Sequence, residues 1–560
     1  MISCIETALK PELLDAEAKG LQKKALEYFN INIEDGRTVN LVIIDADFSK
    51  SDIEAIQNQI LTNPVIQISA SDSPLDINFD WCIWVGFRPG VRDNAASTAV
   101  EAIRDLLKKD FADKEGVYTS KRYCLTGKNL TYDDVEKIAS ELLANPIIQQ
   151  WKIFSKDEWD GKRASILTIP KVMLNHEPSF QILNIESDEA LEQISNERNL
   201  ALNPRDIPVI REYFLNKDVR KSRTNIDEIS QTGGSIAKAD NSSLEPISLA
   251  DGPTDVEIEY ISQSRSDHCN HNTFRGVFRY YDPADDETVV EDNLFKKYIQ
   301  EPTLRLKDEK EWVVSVLWDN AGVGSFDDKN NYVITGETHN SPSNMEAYGG
   351  AITGIVGVYR DPMGTGLGSR LIMGSYGFCV GPIDYKGPLK AALHPRRLLD
   401  GVIEGVKDGG NKSGVPTTFG QTLFNEGYMG KSLVFVTALG IMPKEINGKP
   451  SHEKKTEPGD LIVMSGGRVG KDGIHGVTAS SEVLSENTPA GHVQIGDPYT
   501  QKKMHDFLLI ARDEGLFGFI TDNGGGGLSS SVGESAQMSN GCEVWLDKVP
   551  LKYEGLDMWE

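Results

Sequence analysis

Positive charge is scarce in this chain: 58 Lys and Arg stand against 84 Asp and Glu, for a net charge of −26. Nonspecific nucleic-acid binding needs a cationic face, so it is excluded as the main activity. A local basic pocket for one phosphorylated metabolite stays open. Long apolar runs are also missing. None approaches the roughly 18 residues that a membrane span needs. Cysteines are few and scattered, at positions 4, 82, 124, 269, 379 and 542, with no Cys-x-x-Cys pair. That spacing predicts neither a disulfide framework nor a zinc site. The first residues, Met1-Ile2-Ser3-Cys4-Ile5-Glu6, lack the basic flank of a signal peptide. A reducing cytoplasm is the expectation. No glycine run carries the Gly-Lys-Ser/Thr of a Walker A loop.

What is present is an ordinary globular composition, 39% apolar and 25% charged over 560 residues. That length predicts roughly three or four domains. The front of the chain reads as a repeat. Ile60-Leu61-Thr62-Asn63-Pro64-Val65-Ile66-Gln67 returns 82 residues later as Leu142-Leu143-Ala144-Asn145-Pro146-Ile147-Ile148-Gln149. Upstream, the stretch from Leu13 to Leu21 parallels Val91 to Thr98. Each copy predicts a helix (to about Phe29 and Asp110), a strand, a second helix ended by Asn-Pro, and a last strand. Strand patterns stand at Leu41–Ile44 and Cys82–Val85. The expectation is a tandem pair of small α+β sandwiches over 1–165. Residues 166–253 read as a linker with a helix at Asp188–Asn196 and a mobile insertion at about 216–253, rich in glycine and serine. Structure resumes at Thr254, whose spacing to Glu257 predicts a capping box. Residues 254–445 and 446–560 read as two further domains. Within the first, residues 310–440 alternate strands with glycine-rich turns. The second holds strand Leu461–Met464 and helix Thr500–Glu514. The whole is an α/β (α+β) chain.

Chemistry concentrates at Gly336-Glu337-Thr338-His339-Asn340-Ser341-Pro342-Ser343-Asn344, after an apolar strand at Tyr332–Ile334. Nineteen residues past His339, Val358-Tyr359-Arg360-Asp361 reads as a second strand ending in charge. Glu337 and Asp361 suit Mg²⁺, which takes a few carboxylates plus phosphate oxygens; a capping Glu and an Arg360–Asp361 surface pair are the alternative. His268 and His271 stand at i and i+3 in Ser266-Asp267-His268-Cys269-Asn270-His271, and fit phosphate or acid–base work better than metal. Asp522-Asn523-Gly524-Gly525-Gly526-Gly527 follows an apolar strand at Leu516–Ile520. It reads as an anion cradle before a helix, or as a plain flexible turn. Gly364-Thr365-Gly366-Leu367-Gly368 lacks the acidic partner of a dinucleotide site. Gly377-Phe378-Cys379-Val380-Gly381 imitates a nucleophile elbow, but Pro382 follows where a helix is needed. Cys379 is therefore read as a buried strand residue.

These motifs, taken in order, resemble the formylglycinamide ribonucleotide amidotransferases of the aminoimidazole ribonucleotide synthetase superfamily. The resemblance is carried by Pro253-Thr254-Asp255-Val256-Glu257-Ile258-Glu259, Gln263, Ser266-Asp267-His268-Cys269 and Glu337-Thr338-His339-Asn340-Ser341-Pro342. Gly364–Gly368, Gly466–Gly476 and Val493–Pro498 extend it over nearly the whole chain. The front repeat is similar to the small-subunit-like domain fused ahead of large family members.

The resemblance implies a purine-biosynthesis ligase. ATP phosphorylates the amide oxygen of formylglycinamide ribonucleotide, and ammonia displaces phosphate to give the amidine. The ammonia comes from glutamine through a separate glutaminase domain or subunit. His268 and His339 are then the catalytic histidines, with His339 taking the proton. Glu337, Asp361 and Asp522 hold Mg²⁺. Thr338, His339, Asn340, Ser341, Arg360 and Gln494 hold the substrate, and His271 and Thr335 lie on the ATP side. Ser341 stands where the family motif has a second histidine, and Thr335 where a lysine is common. The run to Glu560 is one that the family continues into a substrate segment and a second synthetase half, so completion from further sequence or another chain is expected. Other readings are a non-catalytic half serving a second chain, or a relative of selenophosphate synthetase or thiamine-monophosphate kinase.

Overall fold

The computed structural model describes residues 2–560 apart from 72, 113, 160–167, 173, 175–177, 221–251, 267, 269–270, 390–392 and 478–493. The insertion expected at 216–253 lies mostly outside the described residues. The chain divides into two compact units, Met1–Val172 and Met173–Glu560. Among the described residues, no helix is long and apolar enough to cross a membrane.

In the first unit the repeat is visible as duplicated hydrogen bonds. Its elements are β1 (Ile2–Leu9), α1 (Ala16–Phe29), β2 (Asp35–Asp45), α2 (Lys50–Ile56) and β3 (Gln67–Ala70). The second copy is β4 (Trp81–Phe87), α3 (Asn94–Leu107), β5 (Gly116–Thr126), α4 (Tyr132–Ile138) and β6 (Gln149–Ser155). Asp15 caps α1 and accepts from Thr38; Asp93 caps α3 and accepts from Thr119. Ser49–Asp52 and Thr131–Asp134 form matching capping boxes. The Asn-Pro echo is an Asx turn clasped by a glutamine. Asn63 Oδ1 accepts from Val65 N, and Asn145 Oδ1 from Ile147 N. Gln67 and Gln149 close the two turns from below, at 2.8 and 3.0 Å.

The copies are not separate sandwiches, as the sequence predicts. They share one antiparallel sheet of order β3-β1-β2-β5-β4-β6, joined where β2 pairs with β5 from Asp35↔Thr126 to Asp45↔Gly116. Pairing the two copies leaves no unprotected central edge, which two free sandwiches would expose. Helices α1 to α4 cover one face through Ile5, Ile44, Ile83, Val85 and Leu125. The other face carries Cys4, Leu41, Ile43, Cys82, Trp84 and Cys124.

The second unit opens with α5 (Asp188–Arg198), α6 (Ile207–Leu215) and α7 (Asp255–Ser264), packed through Leu191, Ile210, Phe214 and Ile258. Thr254 and Glu257 form the expected capping box. A hairpin, β7 (Val277–Asp282) and β8 (Glu287–Asp292), follows. The central sheet uses β9 (Val313–Ser315), β10 (Gly322–Ser325), β11 (Asn330–Thr338), β12 (Arg370–Val380), β13 (Thr417–Phe424) and β14 (Leu433–Pro443). Its order is β13-β12-β14-β11-β10-β9, with β12–β13 the parallel pair. The remaining helices are α8 (Asn340–Met345), α9 (Ala347–Met363), α10 (Pro395–Ser413), α11 (Pro498–Asp513) and α12 (Gly527–Ser539). Helices α9 and α10 pack on the sheet through Ala351, Ile355, Tyr359, Leu398 and Val402 against Tyr376, Phe378, Val434 and Val436. Cys379 is a buried β12 residue, opposite Leu423 and Leu433.

Three expectations are corrected here. Val358–Asp361 is the end of helix α9, not a strand. Thirteen of its seventeen residues are buried, so the helix shows no polar stripe and reads as a continuous apolar run. Residues 310–440 likewise hold two long helices between the strands. Leu461–Met464 and Leu516–Ile520 form no strand; they pair with no ladder partner among the described residues, and Leu461 and Val463 are 89% and 81% exposed.

Candidate active site

The site is built where β11 leaves the sheet. Glu337 and Thr338 end the strand, and His339 starts helix α8. The exit is locked onto β14: His339 N donates to Val434 O at 2.7 Å, and Asn340 Oδ1 accepts from Val434 N at 2.8 Å. Ser343 Oγ donates back to the His339 carbonyl. Helix α9 then crosses this turn at glycines. A Cβ on Gly350 would lie 2.4 Å from the Pro342 carbonyl oxygen, and one on Gly354 would lie 2.7 Å from His339 Cβ. Only a bare backbone lets the helix pass so close.

Helix α9 delivers Arg360 and Asp361 to the end of β11. Thr335 Oγ1 donates to Asp361 Oδ2 at 3.2 Å, and Thr335 and Glu337 share one strand face. Arg360 Nε donates to Asp522 Oδ2 at 3.1 Å, and Asn320 Nδ2 donates to Asp522 Oδ1 at 3.3 Å. Three carboxylates therefore crowd one guanidinium. Burial, then the Glu337 and Asp522 charges, push Asp361 up to about 8. Burial and Asp522 also raise Glu337, although its side chain still opens to solvent at the rim. Burial pushes His339 down to about 4, with the charges of Arg360 and His268 adding to the shift. His339 is thus a neutral imidazole at pH 7, and its enclosed Nδ1 makes no hydrogen bond.

The remaining predicted residues are spread around this centre. His268 is half-buried and close enough for its charge to act on His339. His271 begins the helical turn His271–Phe274; its side chain lies outside the described residues. Thr338 and Gln494 are exposed, and Ser341 is buried. The Gln494 carbonyl accepts from Thr353 Oγ1, which also receives Gly496 N and so ties that segment to α9. Asn340 spends its side-chain oxygen on β14 rather than on open space. The three carboxylates gather charge without converging as ligands: among the described residues, no three His, Cys, Asp or Glu side chains are grouped to hold a metal ion. Their donor chemistry nonetheless suits a hard divalent cation, since one guanidinium leaves the trio short of positive charge.

Sequence reasoning missed Asn320 and Thr353. A turn signal at Asp319-Asn320 ahead of β10 was the only mark of the first. It also missed the clasp that fixes the glycine turn after α9. Asp319 accepts from Gly366 N, and the buried Lys454 bonds Asp319 and the Gly364 and Ile520 carbonyls. Gly366 sits at φ 58°, with the Ser451 carbonyl where a Cβ would stand. Arg512 and His505 hold the far side, at the Gly368 and Ser369 carbonyls. The turn is a structural clasp, in keeping with the rejected dinucleotide reading.

Comparison with known proteins bears on both domains of this unit. Residues 318–442 match the AIR synthase related protein, N-terminal domain, and residues 457–560 match its C-terminal domain. Phosphoribosylformylglycinamidine synthase subunit PurL of Thermoplasma acidophilum is 34% identical over 318 residues, 56% of this chain and 38% of the relative. The PurL subunit of Pyrococcus furiosus is 37% identical over 284 residues, 49% of this chain and 39% of the relative. The match thus spans about two fifths of the length of these relatives. Among solved structures, T. maritima PurL complexed with FGAR is 29% identical with a TM-score of 0.43, covering 60% of this chain and 45% of that one.

Proposed function

We propose, from the premise that this chain carries both AIR synthase related domains and is a homologue of PurL subunits, that it serves the ATP-dependent conversion of formylglycinamide ribonucleotide to its amidine. The observation that carries the reading is the grouping of Glu337, Asp361 and Asp522 around Arg360, beside a neutral His339. The γ-phosphoryl of ATP passes to the amide oxygen, ammonia adds at the carbon, and phosphate leaves. His339, neutral at pH 7, accepts the proton that the attacking nitrogen sheds. His268 stands by as the second acid–base group. Arg360 would present a planar fork for the substrate phosphate, with Thr338, Asn340, Ser341 and Gln494 as the further proposed substrate residues. Thr335 steadies Asp361 rather than reaching for nucleotide, and His271 is the residue proposed for the ATP side. Mg²⁺ on Glu337, Asp361 and Asp522 would neutralise the transferred phosphoryl oxygens. Ammonia would come from a glutaminase domain or subunit.

The test is amidine formation by the purified chain with ATP, Mg²⁺ and ammonium as the nitrogen donor. Product formation lost on His339→Ala, with substrate binding retained, supports the assignment. An unchanged rate on His339→Ala overturns the proton-transfer role.

A second reading has one observation in its favour. Exposed Leu461, Ile462 and Val463 offer an apolar edge that another synthetase half would cover. On that reading the chain alone binds nucleotide and turns nothing over, and activity appears only with the second half present.

A further inference from the structure

Two thiols stand opposite one another inside the first unit. Cys82 and Cys124 are direct partners across the antiparallel β4–β5 pair. Residues paired this way have Cα atoms about 4.5–5.5 Å apart. A disulfide spans roughly 4.4–6.8 Å between Cα atoms. Partners in register also point to the same sheet face. Both thiols are free and buried. The next pair along that face is Trp84 opposite Arg122.

Arg122 is what separates this pair from two packed core cysteines. Its guanidinium is fully buried, is paired with Glu6 at 2.6 Å, and donates from Nη1 to Cys124 Sγ at 3.7 Å. The Cys82 thiol hydrogen-bonds to the Cys124 sulfur, and with Arg122 this draws Cys124 below its ordinary value, while Cys82 is pushed up. Of the two, Cys124 is the sulfur that gives up its proton more readily and Cys82 the one that holds it. The covering of this face is also unlike that of the other. It is roofed by Leu75, Ile77 and Phe79 in irregular chain, with Ile169 and with Trp159 from the one-turn helix Lys156–Trp159. Glu6 accepts from Leu75 N at 2.8 Å and Arg122 donates to Leu75 O at 3.3 Å, so the roof is pinned by the same ion pair. Lifting an irregular segment costs less than opening a sheet, and it admits a small oxidant. Glu6 Oε1, Arg122 Nε and Trp84 Nε1 beneath it are buried without partners, which suits a small polar entrant.

We infer that Cys82 and Cys124 form a redox site, a dithiol that hydrogen peroxide closes to a cross-strand cystine. Cys124 gives up its proton and its sulfur attacks one peroxide oxygen; the O–O bond breaks, and Cys124 becomes a sulfenic acid as one water leaves. The Cys82 sulfur then attacks Cys124; the S–O bond breaks, the S–S bond forms, and a second water leaves. The sulfurs lose two electrons, the peroxide gains them, and both thiol protons end in the waters.

The test treats the intact chain with hydrogen peroxide at a dose that fully oxidises the exposed Cys542. The protein is then unfolded, alkylated and mapped by mass spectrometry. The expected product is a Cys82–Cys124 linked peptide, two hydrogens lighter than the dithiol and reversed by dithiothreitol. In Cys82→Ala, the same dose leaves Cys124 as a sulfenic or sulfinic acid. Recovery of both cysteines as alkylated thiols overturns the inference. So does a link that forms only in urea, or a link from Cys124 to Cys4 in place of Cys82.

Discussion

Asp361→Asn is expected to stabilise the fold, and to do so increasingly as pH rises. Asp361 carries its folded value from the ordinary 3.8 to about 8, chiefly through burial and then through the Glu337 and Asp522 charges. In the unfolded chain it loses its proton near the ordinary value. Between those limits the unfolded state binds fewer protons than the folded state, so raising the pH favours unfolding. Each pH unit in that window costs about 1.4 kcal/mol. From pH 5 to pH 8 the sum is about 4 kcal/mol as an upper bound. Asp361 keeps some contact with solvent, and its neighbours can rotate away, which brings the expected figure to about 2 kcal/mol. Asparagine keeps the shape and can still accept from Thr335, but carries no charge.

The assay is urea unfolding of wild type and Asp361→Asn at each pH from 5 to 9, with divalent cations chelated. The stability gap should widen steadily to pH 8 and then level off. Adding Mg²⁺ should close the gap by stabilising the wild type alone. A gap that is flat with pH, or a variant less stable than wild type at pH 8, would refute the account of how the site stores charge.

Other perturbations test neighbouring parts of the same geometry. Mg²⁺ binding at pH 7 should release about one proton, because Asp361 must ionise to act as a ligand; calorimetry in two buffers of different ionisation enthalpy reads this directly, and no release counts against Asp361. The His339 ring should show no titration between pH 6 and 8 by NMR, since its charged form is lost near pH 4. Gly354→Ala should cut turnover by about 100-fold with little change in the folded fraction, because the new methyl meets the His339 side chain; wild-type turnover would show that the ring's position is not critical.

Legibility followed the range of the interactions. The repeat could be read because Asn63, Gln67 and their counterparts Asn145 and Gln149 bond within a few residues. The capping box at Thr254 and the strand at Tyr332–Ile334 were local in the same sense. Interactions between distant residues left no such trace. Asn320 meets Asp522 across 202 residues, and nothing in either neighbourhood marks the other. The sharing of one sheet by the two repeats is a pairing of β2 with β5, fixed by register rather than by motif. Apolar runs at Leu461 and Leu516 have strand composition, but a strand also needs a neighbour to bond.

The helix read as a strand is the instructive case, because the site depends on the difference. In a strand, Arg360 and Asp361 would point to opposite faces, and only one could reach the end of β11. In a helix, consecutive side chains are turned by about 100°. Asp361 can then meet Thr335 on β11 while Arg360 reaches Asp522 in the glycine loop. The same helix must pass against the His339 turn about two to three turns earlier, and Gly350 and Gly354 are what permit it. Those glycines, with Gly349 and Gly357, remove the polar stripe by which a helix is usually recognised. The features that hid the element from the sequence are therefore those that bring its two charged residues to the strand end beside His339.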